Sequence, residues 1–244
     1  MADATTRFSG YASDYDRVRP QPPGLLAEVI SQWAEVTAPD VIDIGTGSGL
    51  SLMPWTGRAR SVTGVEPSGP MREIARQRAG SLADRDVFRL VEGTAEDTGL
   101  PAGSADIVTA SQAMHWFDPG LALPEIARLL RPGGVLAAYE TKLRTLEARL
   151  PQPPPRRPKE EHASRMRASG LFRFVTEIAV HSREEGDAAR LVNLARSQSG
   201  TVELLNAGVP EDELGLPELG EVAARRIPHP VPFWWTYRIR LAVR

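Results

Sequence analysis

Val41-Ile42-Asp43-Ile44-Gly45-Thr46-Gly47-Ser48-Gly49 is the stretch that decides the fold. A short β-branched run closed by alternating glycines predicts a buried strand over 41–44, with a tight turn at its carboxyl end. Glycine lacks a Cβ, so the backbone can turn sharply and a ligand can come close. In doubly wound sheets ligands bind at the carboxyl ends of the strands, where such a turn lies. A dinucleotide site wants G-x-G-x-x-G. Here Leu50 stands at the third position and Gly49 comes one residue early, so that fingerprint is not met. Glu66 ends the next predicted strand, where a carboxylate can accept both hydroxyls of a ribose.

Working outward, strands are predicted over 60–65, 87–91, 106–110, 135–139, 173–180 and 232–243. A helix over 22–36 carries Leu25, Leu26, Val29, Ile30, Trp33 and Val36 at helical spacing. A second runs from an N-cap at Ser68 to about Arg78, and a third from Pro124 in its first turn to near Arg131. A fourth covers 184–198. Pro54 falls where a helix after the glycine turn should run, so that helix is expected to be short or kinked. Strands alternating with helices imply a parallel sheet covered on both faces. The segment 150–159 holds five prolines and reads as an extended surface excursion before the sheet resumes.

Composition excludes several classes. The 244 residues contain no cysteine, which removes disulfides, cysteine-ligated metals and thiolate nucleophiles. Net charge is −2, with 27 Arg and 2 Lys against 31 acidic residues, and this argues weakly against duplex nucleic acid as partner. No apolar run approaches the length of a membrane span, about 18 residues. Residues 1–6 are polar and do not read as a secretory signal. A cytoplasmic protein is expected. The four histidines lack ligand spacing, so no metal site is expected.

Four motifs, in order over roughly residues 8–140, resemble class I S-adenosylmethionine (SAM)-dependent methyltransferases. Asp43-x-Gly45-x-Gly47-x-Gly49 resembles their first motif, and Val65-Glu66-Pro67-Ser68 their ribose-binding motif. Residues 93–101 followed by Ser104-Ala105-Asp106 resemble the stretch beside the adenine. Leu130-Arg131-Pro132-Gly133-Gly134 resembles the turn before the fifth strand. The resemblance implies that Asp43 orients the methionine end of SAM and that Gly45, Gly47 and Gly49, with Thr46 among them, give it room. It implies that Glu66, followed by Pro67, holds the ribose. Ala95 and Glu96 would lie near the adenine, with Asp97 an alternative acid. Ser111 or Gln112 would meet the methionine portion.

Ser111-Gln112-Ala113-Met114-His115-Trp116-Phe117-Asp118 lacks the Asn/Asp-Pro-Pro-aromatic tetrad of DNA adenine and protein glutamine methyltransferases. The run resembles the small-molecule group that includes trans-aconitate methyltransferase-like (methyltransferase type 11) proteins. Phe8-x-Gly10-x-Ala12-x-x-Tyr15-x-x-x-Arg19-Pro20 resembles the segment preceding the core in that group. Tyr11 and Tyr15 are candidates to face the sulfonium, because aromatic faces attract cations. Tyr11, Arg19 and Trp116 are taken as acceptor-side residues, and Tyr15 as a cofactor residue. His115 is the candidate general base, since imidazole titrates near neutrality. Phe233, Trp234, Trp235 and Tyr237 either line an apolar acceptor pocket or pack the core, and strand alternation favours core for at least half of them.

The expected fold is α/β, a doubly wound, Rossmann-like, seven-stranded and mostly parallel sheet with the last strand antiparallel. Residues 1–244 are expected to form one domain, with an N-terminal arm (1–24) and an inserted segment (141–170) capping the acceptor site. That segment carries 8 basic residues against 3 Glu. The expected activity is methyl transfer from SAM, leaving S-adenosylhomocysteine, to an oxygen or nitrogen of a small molecule. A carboxylate acceptor needs no base. The Arg-rich, Lys-poor composition suits a GC-rich bacterium, where enzymes of this group often tailor secondary metabolites. The protein is expected to be a monomer or homodimer. Rival readings are an RNA or protein methyltransferase, a non-catalytic SAM-binding protein and an NAD-dependent oxidoreductase.

Overall fold

The computed structural model describes residues 19–141 and 161–244. Seven strands form one sheet in the order β3-β2-β1-β4-β5-β7-β6. They are β1 (Asp40–Ile44), β2 (Ser61–Val65), β3 (Phe88–Val91), β4 (Ala105–Ser111), β5 (Leu130–Thr141), β6 (Phe174–Gly186) and β7 (Val231–Val243). β1 to β5 pair in parallel, and β7 runs antiparallel to both β5 and β6. The expected doubly wound sheet with an antiparallel last strand is what forms.

The strands at the centre of the sheet are apolar on both sides, as they must be when both faces are covered. One face packs Leu26, Ala27 and Ile30 of α1 (Gly24–Ala34) against Val41, Ile107 and Leu241. The other packs Leu123 and Ile126 of α3 (Pro119–Leu129) and Met166 of α4 (His162–Ala168) against Val108, Leu136 and Ala138. α2 (Gly69–Gly80) lies against β3. At the amino edge of the sheet Arg131 donates to Asp106 at 2.7 Å and to Asp40 at 3.0 Å, and Arg60 pairs with Asp40 as well. These guanidiniums hold the Asp40 carboxyl well below its usual range.

Several expected boundaries move, each for a local reason. After the glycine turn there is a single 3-10 segment, Leu50–Trp55, with Pro54 inside it, as the proline implied. Ser68 occupies the N-cap position of α2 but makes no side-chain capping bond. α3 begins at Pro119, five residues before the expected Pro124, because Asp118 caps it by accepting from the Gly120 amide at 2.9 Å. Pro124 therefore lies inside the helix. The chain leaves α3 at Leu129, since Leu130 already pairs with Ala105 in the sheet. The stretch 184–186, expected to be helical, extends β6. Asp187 then caps α5 (Ala188–Arg196) by accepting from the Arg190 amide at 2.8 Å.

Three further helices were not expected: α4, α6 (Ser199–Asn206) and α7 (Leu216–Arg226). α5, α6 and α7 form a small helical insert between β6 and β7, with Leu204, Leu214 and Leu216 as its own apolar cluster. Among the described residues β7 pairs with β5 only from Tyr237 onward, while Val231–Thr236 pair with β6 alone. A two-stranded ribbon thus stands beyond the carboxyl end of the parallel strands and carries the insert. The arm residues 1–18 and most of the expected cap, 142–160, lie outside the described residues. Among the described residues no helix is long and apolar enough to cross a membrane.

Candidate functional site

A cavity of about 410 Å³ opens at the carboxyl ends of β1, β2 and β4. That volume lies within the usual range for small-ligand sites, about 300–1,000 Å³. The glycine turn forms its floor. Gly45 and Thr46 donate their amides to the Val65 carbonyl at 2.9 and 3.2 Å, which holds the turn against β2. Gly45 has φ +73°, and a Cβ there would lie 2.6 Å from the Ala113 methyl, so no other residue fits. Gly47 (φ +57°) has open space on its Cβ side and lines the cavity. Gly49 does not line it. A Cβ there would stand 3.1 Å from Ala75 of α2, so its role is close packing of helix on turn.

Asp43 is fully buried behind the turn and does not line the cavity. Thr46 and Ser51 hydroxyls donate to its Oδ2 at 2.8 and 2.6 Å, and Thr109 donates to Oδ1 at 2.5 Å. Burial raises its pKa, and the three hydroxyls oppose that rise. Asp43, expected to orient the methionine end of SAM, therefore reaches the cavity only through the residues it holds. It fixes Thr46 and Ser51, both of which line the cavity.

Glu66 lines the cavity as expected and is 8% exposed. Its Oε2 accepts from the Gly47 amide and its Oε1 from the Ser68 amide, each at 2.9 Å. An ionised carboxylate offers about four lone-pair positions, so two stay open to a ligand diol. Pro67 lies beside it. Across the cleft Ala95 and Glu96 line the wall, and Glu96 accepts from the Asp118 amide at 2.8 Å. Asp97 is exposed and accepts from the Gly99 amide at 3.3 Å, so of the two acids Glu96 is the one that lines the cavity. The loop carrying them is tied to α3 by Glu125, which accepts from the Thr98 amide at 3.1 Å and from its hydroxyl at 2.6 Å. The Arg128 guanidinium, with help from Thr98, holds the Glu125 carboxyl down at about 2.

Ser111, Gln112, Trp116 and Phe117 line the far end of the cavity. Gln112 sits at φ +54°, an uncommon conformation for a non-glycine residue and one that concentrates at functional sites. Its amide donates to the Tyr139 carbonyl at 2.9 Å.

His115 does not reach the cavity. Its ring packs 5.0 Å from that of Trp116 and borders a separate void of about 10 Å³ with Glu140, His162 and Arg240. Arg240 is 1% exposed and donates to Glu140 at 2.6 Å, so this is an ion-paired core beneath α4. The expected role of His115 as base is not supported by its position.

Arg19 lines the cavity and donates to the Ser197 carbonyl at 2.9 Å, joining the cleft to the helical insert. Tyr11 and Tyr15 lie outside the described residues. The aromatics of the last strand, expected either to line an acceptor pocket or to pack the core, are divided by the structure. Tyr237 lines the cavity and is 2% exposed, while Trp234, on the opposite face of the same strand, is 72% exposed. The alternation of aromatics over 233–237 was the available signal, and it sorts them as a strand should.

Residues 42–138 match the family model described as "Methyltransferase domain". An uncharacterised methyltransferase of Mycobacterium tuberculosis is 36% identical over 134 residues, which is 55% of this chain and 51% of that protein. The chain thus spans about half the length of that relative. Among solved structures, one described as a candidate type II methyltransferase from Anaeromyxobacter dehalogenans aligns with a TM-score of 0.69. It is 24% identical, over 92% of this chain and 97% of that one. Geranyl diphosphate methyltransferase, solved in complex with SAM, aligns with a TM-score of 0.54 at 16% identity, over 91% and 85% of the two chains. At these identities the structural likeness speaks to the fold.

Proposed function

We propose that this chain, which carries a methyltransferase domain over residues 42–138, transfers a methyl group from SAM to a small-molecule acceptor. Residues 1–244 act as one unit in this reading. The observation that carries this reading is Glu66. It is locked to Gly47 and Ser68, yet keeps lone pairs facing a cavity of the right size.

The residues present fit SAM. Glu66 would hold the ribose hydroxyls, and the open side of Gly47 would admit the ligand close to the backbone. Ala95 and Glu96 would flank the adenine, while Thr46, Ser111 and Gln112 would meet the methionine portion. Bound there, SAM supplies an activated methyl group on a sulfonium. The chain's own contribution is to position the acceptor and exclude water, which Trp116, Phe117 and Met71 do by making the wall apolar. Among the described residues lining the cavity there is no histidine or lysine.

Equilibrium dialysis with methyl-labelled SAM, alongside NADH, tests the cofactor class. The labelled protein mixture is then incubated with cell extract and separated by size. SAM retention without NADH retention, and label in the small-molecule fraction, are expected. Label confined to precipitated RNA or protein would overturn the small-molecule reading, and retention of NADH alone would overturn the cofactor.

A further inference from the structure

Arg72 ends the first turn of α2, and its amide donates to the carbonyl of the N-cap Ser68 at 2.9 Å. A helix N-terminus carries partial positive charge, so a cation there opposes the helix dipole. The first turn holds no acidic residue to offset it. A residue that breaks a local rule needs a compensating contact, and such departures concentrate at functional sites.

The compensation lies behind the cleft. Arg72 Nη1 donates to the Glu66 carbonyl at 2.7 Å and to the Pro67 carbonyl at 2.8 Å. Its Nη2 donates to Glu92 Oε2 at 2.6 Å. The Arg72 side chain is 15% exposed and that of Glu92 75%. A guanidinium is planar and its donors form a rigid fork, so two of its nitrogens fix the spacing of the groups they hold.

Those groups belong to two chains that bound the same part of the cavity. The pairing of β2 with β3 ends at Val65 opposite Val91, and the Glu66 amide reaches the Val91 carbonyl at 3.2 Å. Past that register each chain lines the cavity, residues 66–68 from one and residues 93–96 from the other. Arg72 bridges them one residue beyond the last pair of the ladder. Gly93, next to Glu92, leaves no slack: a Cβ there would lie 2.9 Å from Val65 Cγ1.

We propose that Arg72 is a positioning residue for the adenosine half of the cofactor, setting the gap between the ribose-side segment 66–68 and the wall 93–96. The inference rests on the SAM reading, in which Glu66 meets the ribose and Ala95 and Glu96 the adenine, and deepens it. Arg72 does not line the cavity, so it acts through the backbone and the Glu92 carboxylate that it holds. A gap fixed before binding need not be ordered by the ligand, which strengthens binding.

Arg72→Ala removes both arms of the brace. Arg72→Lys keeps the charge without the fork, and Glu92→Ala removes the outer arm alone at a mostly exposed position. Arg76→Ala is the control, since Arg76 of the same helix pairs with Glu73 on the surface. An exposed ion pair is worth little by itself, so a ligand effect of Glu92→Ala reports the gap. Calorimetry with S-adenosylhomocysteine and with 5′-methylthioadenosine, which share the adenosine and differ at the amino-acid end, reads the adenosine half. Hydrogen exchange over residues 64–68 and 91–97 of the ligand-free protein reads the brace without a ligand.

Arg72→Ala is expected to weaken both ligands by the same factor, about ten-fold, and to quicken exchange in both segments. Arg72→Lys and Glu92→Ala are expected to weaken both about three-fold, with Arg76→Ala at the wild-type value. Adding Glu92→Ala to Arg72→Ala should cost nothing further, because the arm is already gone. Wild-type affinity for both ligands in folded Arg72→Ala, or weakening of S-adenosylhomocysteine alone, overturns the proposal. If Arg72→Ala does not fold, wild-type affinity in Glu92→Ala overturns it. If the wild type binds neither ligand, the SAM reading falls. Unchanged exchange in Arg72→Ala then overturns the brace as well, whereas quickened exchange in both segments upholds the brace independently.

Discussion

The two ends of the cleft are built on opposite terms. At the glycine turn each acid has its partners inside the protein: three hydroxyls on Asp43, two amides on Glu66, one amide on Glu96. On the ribbon, Arg190 Nε and Trp235 Nε1 are buried without a partner, the Ser182 and Tyr237 hydroxyls meet each other, and only Tyr237 reaches the cavity. A site whose polar groups are satisfied is rigid before the ligand arrives, and suits a ligand that never changes. The first end suits a fixed cofactor. The second is carried by the ribbon and the insert between β6 and β7 rather than by the central sheet.

The largest expected effect comes from breaking the satisfied end. Asp43→Ala leaves the hydroxyls of Ser51 and Thr109 without their acceptor, while Thr46 keeps the residue-43 carbonyl that it reaches at 2.9 Å, and should cost about 3 kcal/mol in denaturant unfolding. Asp43→Asn retains one carbonyl for two of the hydroxyls, and the third can rotate to accept from the new amide. Its expected cost is about 1 kcal/mol. Equal losses in the two variants would mean that the charge, rather than hydrogen-bond geometry, holds the turn.

Gly49→Ala is next. Its φ of +86° and the 3.1 Å approach to Ala75 predict a loss of about 2 kcal/mol, measured the same way. The smallest effect concerns the loop tether. Glu125 is held at about 2 against an ordinary 4.5, mainly by Arg128 and then by Thr98. A depressed carboxylate contributes stability that is complete above the unfolded value and is lost as pH falls from about 4.5 through about 2. Unfolding of wild type and Glu125→Gln across that window should converge at the acid end. They should differ by on the order of 1 kcal/mol at neutral pH, allowing for solvent screening.

The fold was legible because its strongest determinants are local. A β-branched run that ends in Gly45-Thr46-Gly47 can be little else than a strand meeting a turn, and Glu66 follows at the end of the adjacent strand. Roles that depend on distant partners were not legible. Whether Asp43 faces a ligand or the protein is decided by Thr109, 66 residues away. His115 is taken from the cleft by the void it shares with Glu140, His162 and Arg240, which come from β5, α4 and β7. The helices α4 and α6 are short, with 7 and 8 residues, and α7, though as long as α1, buries only Leu216 and Ala223, so none carries a long apolar period. The aromatic run over 233–237 carried its signal in plain alternation, but only the register against β6 shows that Trp235 meets Ser182.

The most direct test is calorimetric titration of the wild type and of Glu66→Ala with S-adenosylhomocysteine. One binding site is expected, with affinity about a hundred-fold weaker in Glu66→Ala, since two hydrogen bonds from a ligand to a charged carboxylate are lost. Wild-type affinity in a folded Glu66→Ala protein, or no binding to the folded wild type, would contradict the assignment of this cleft to SAM.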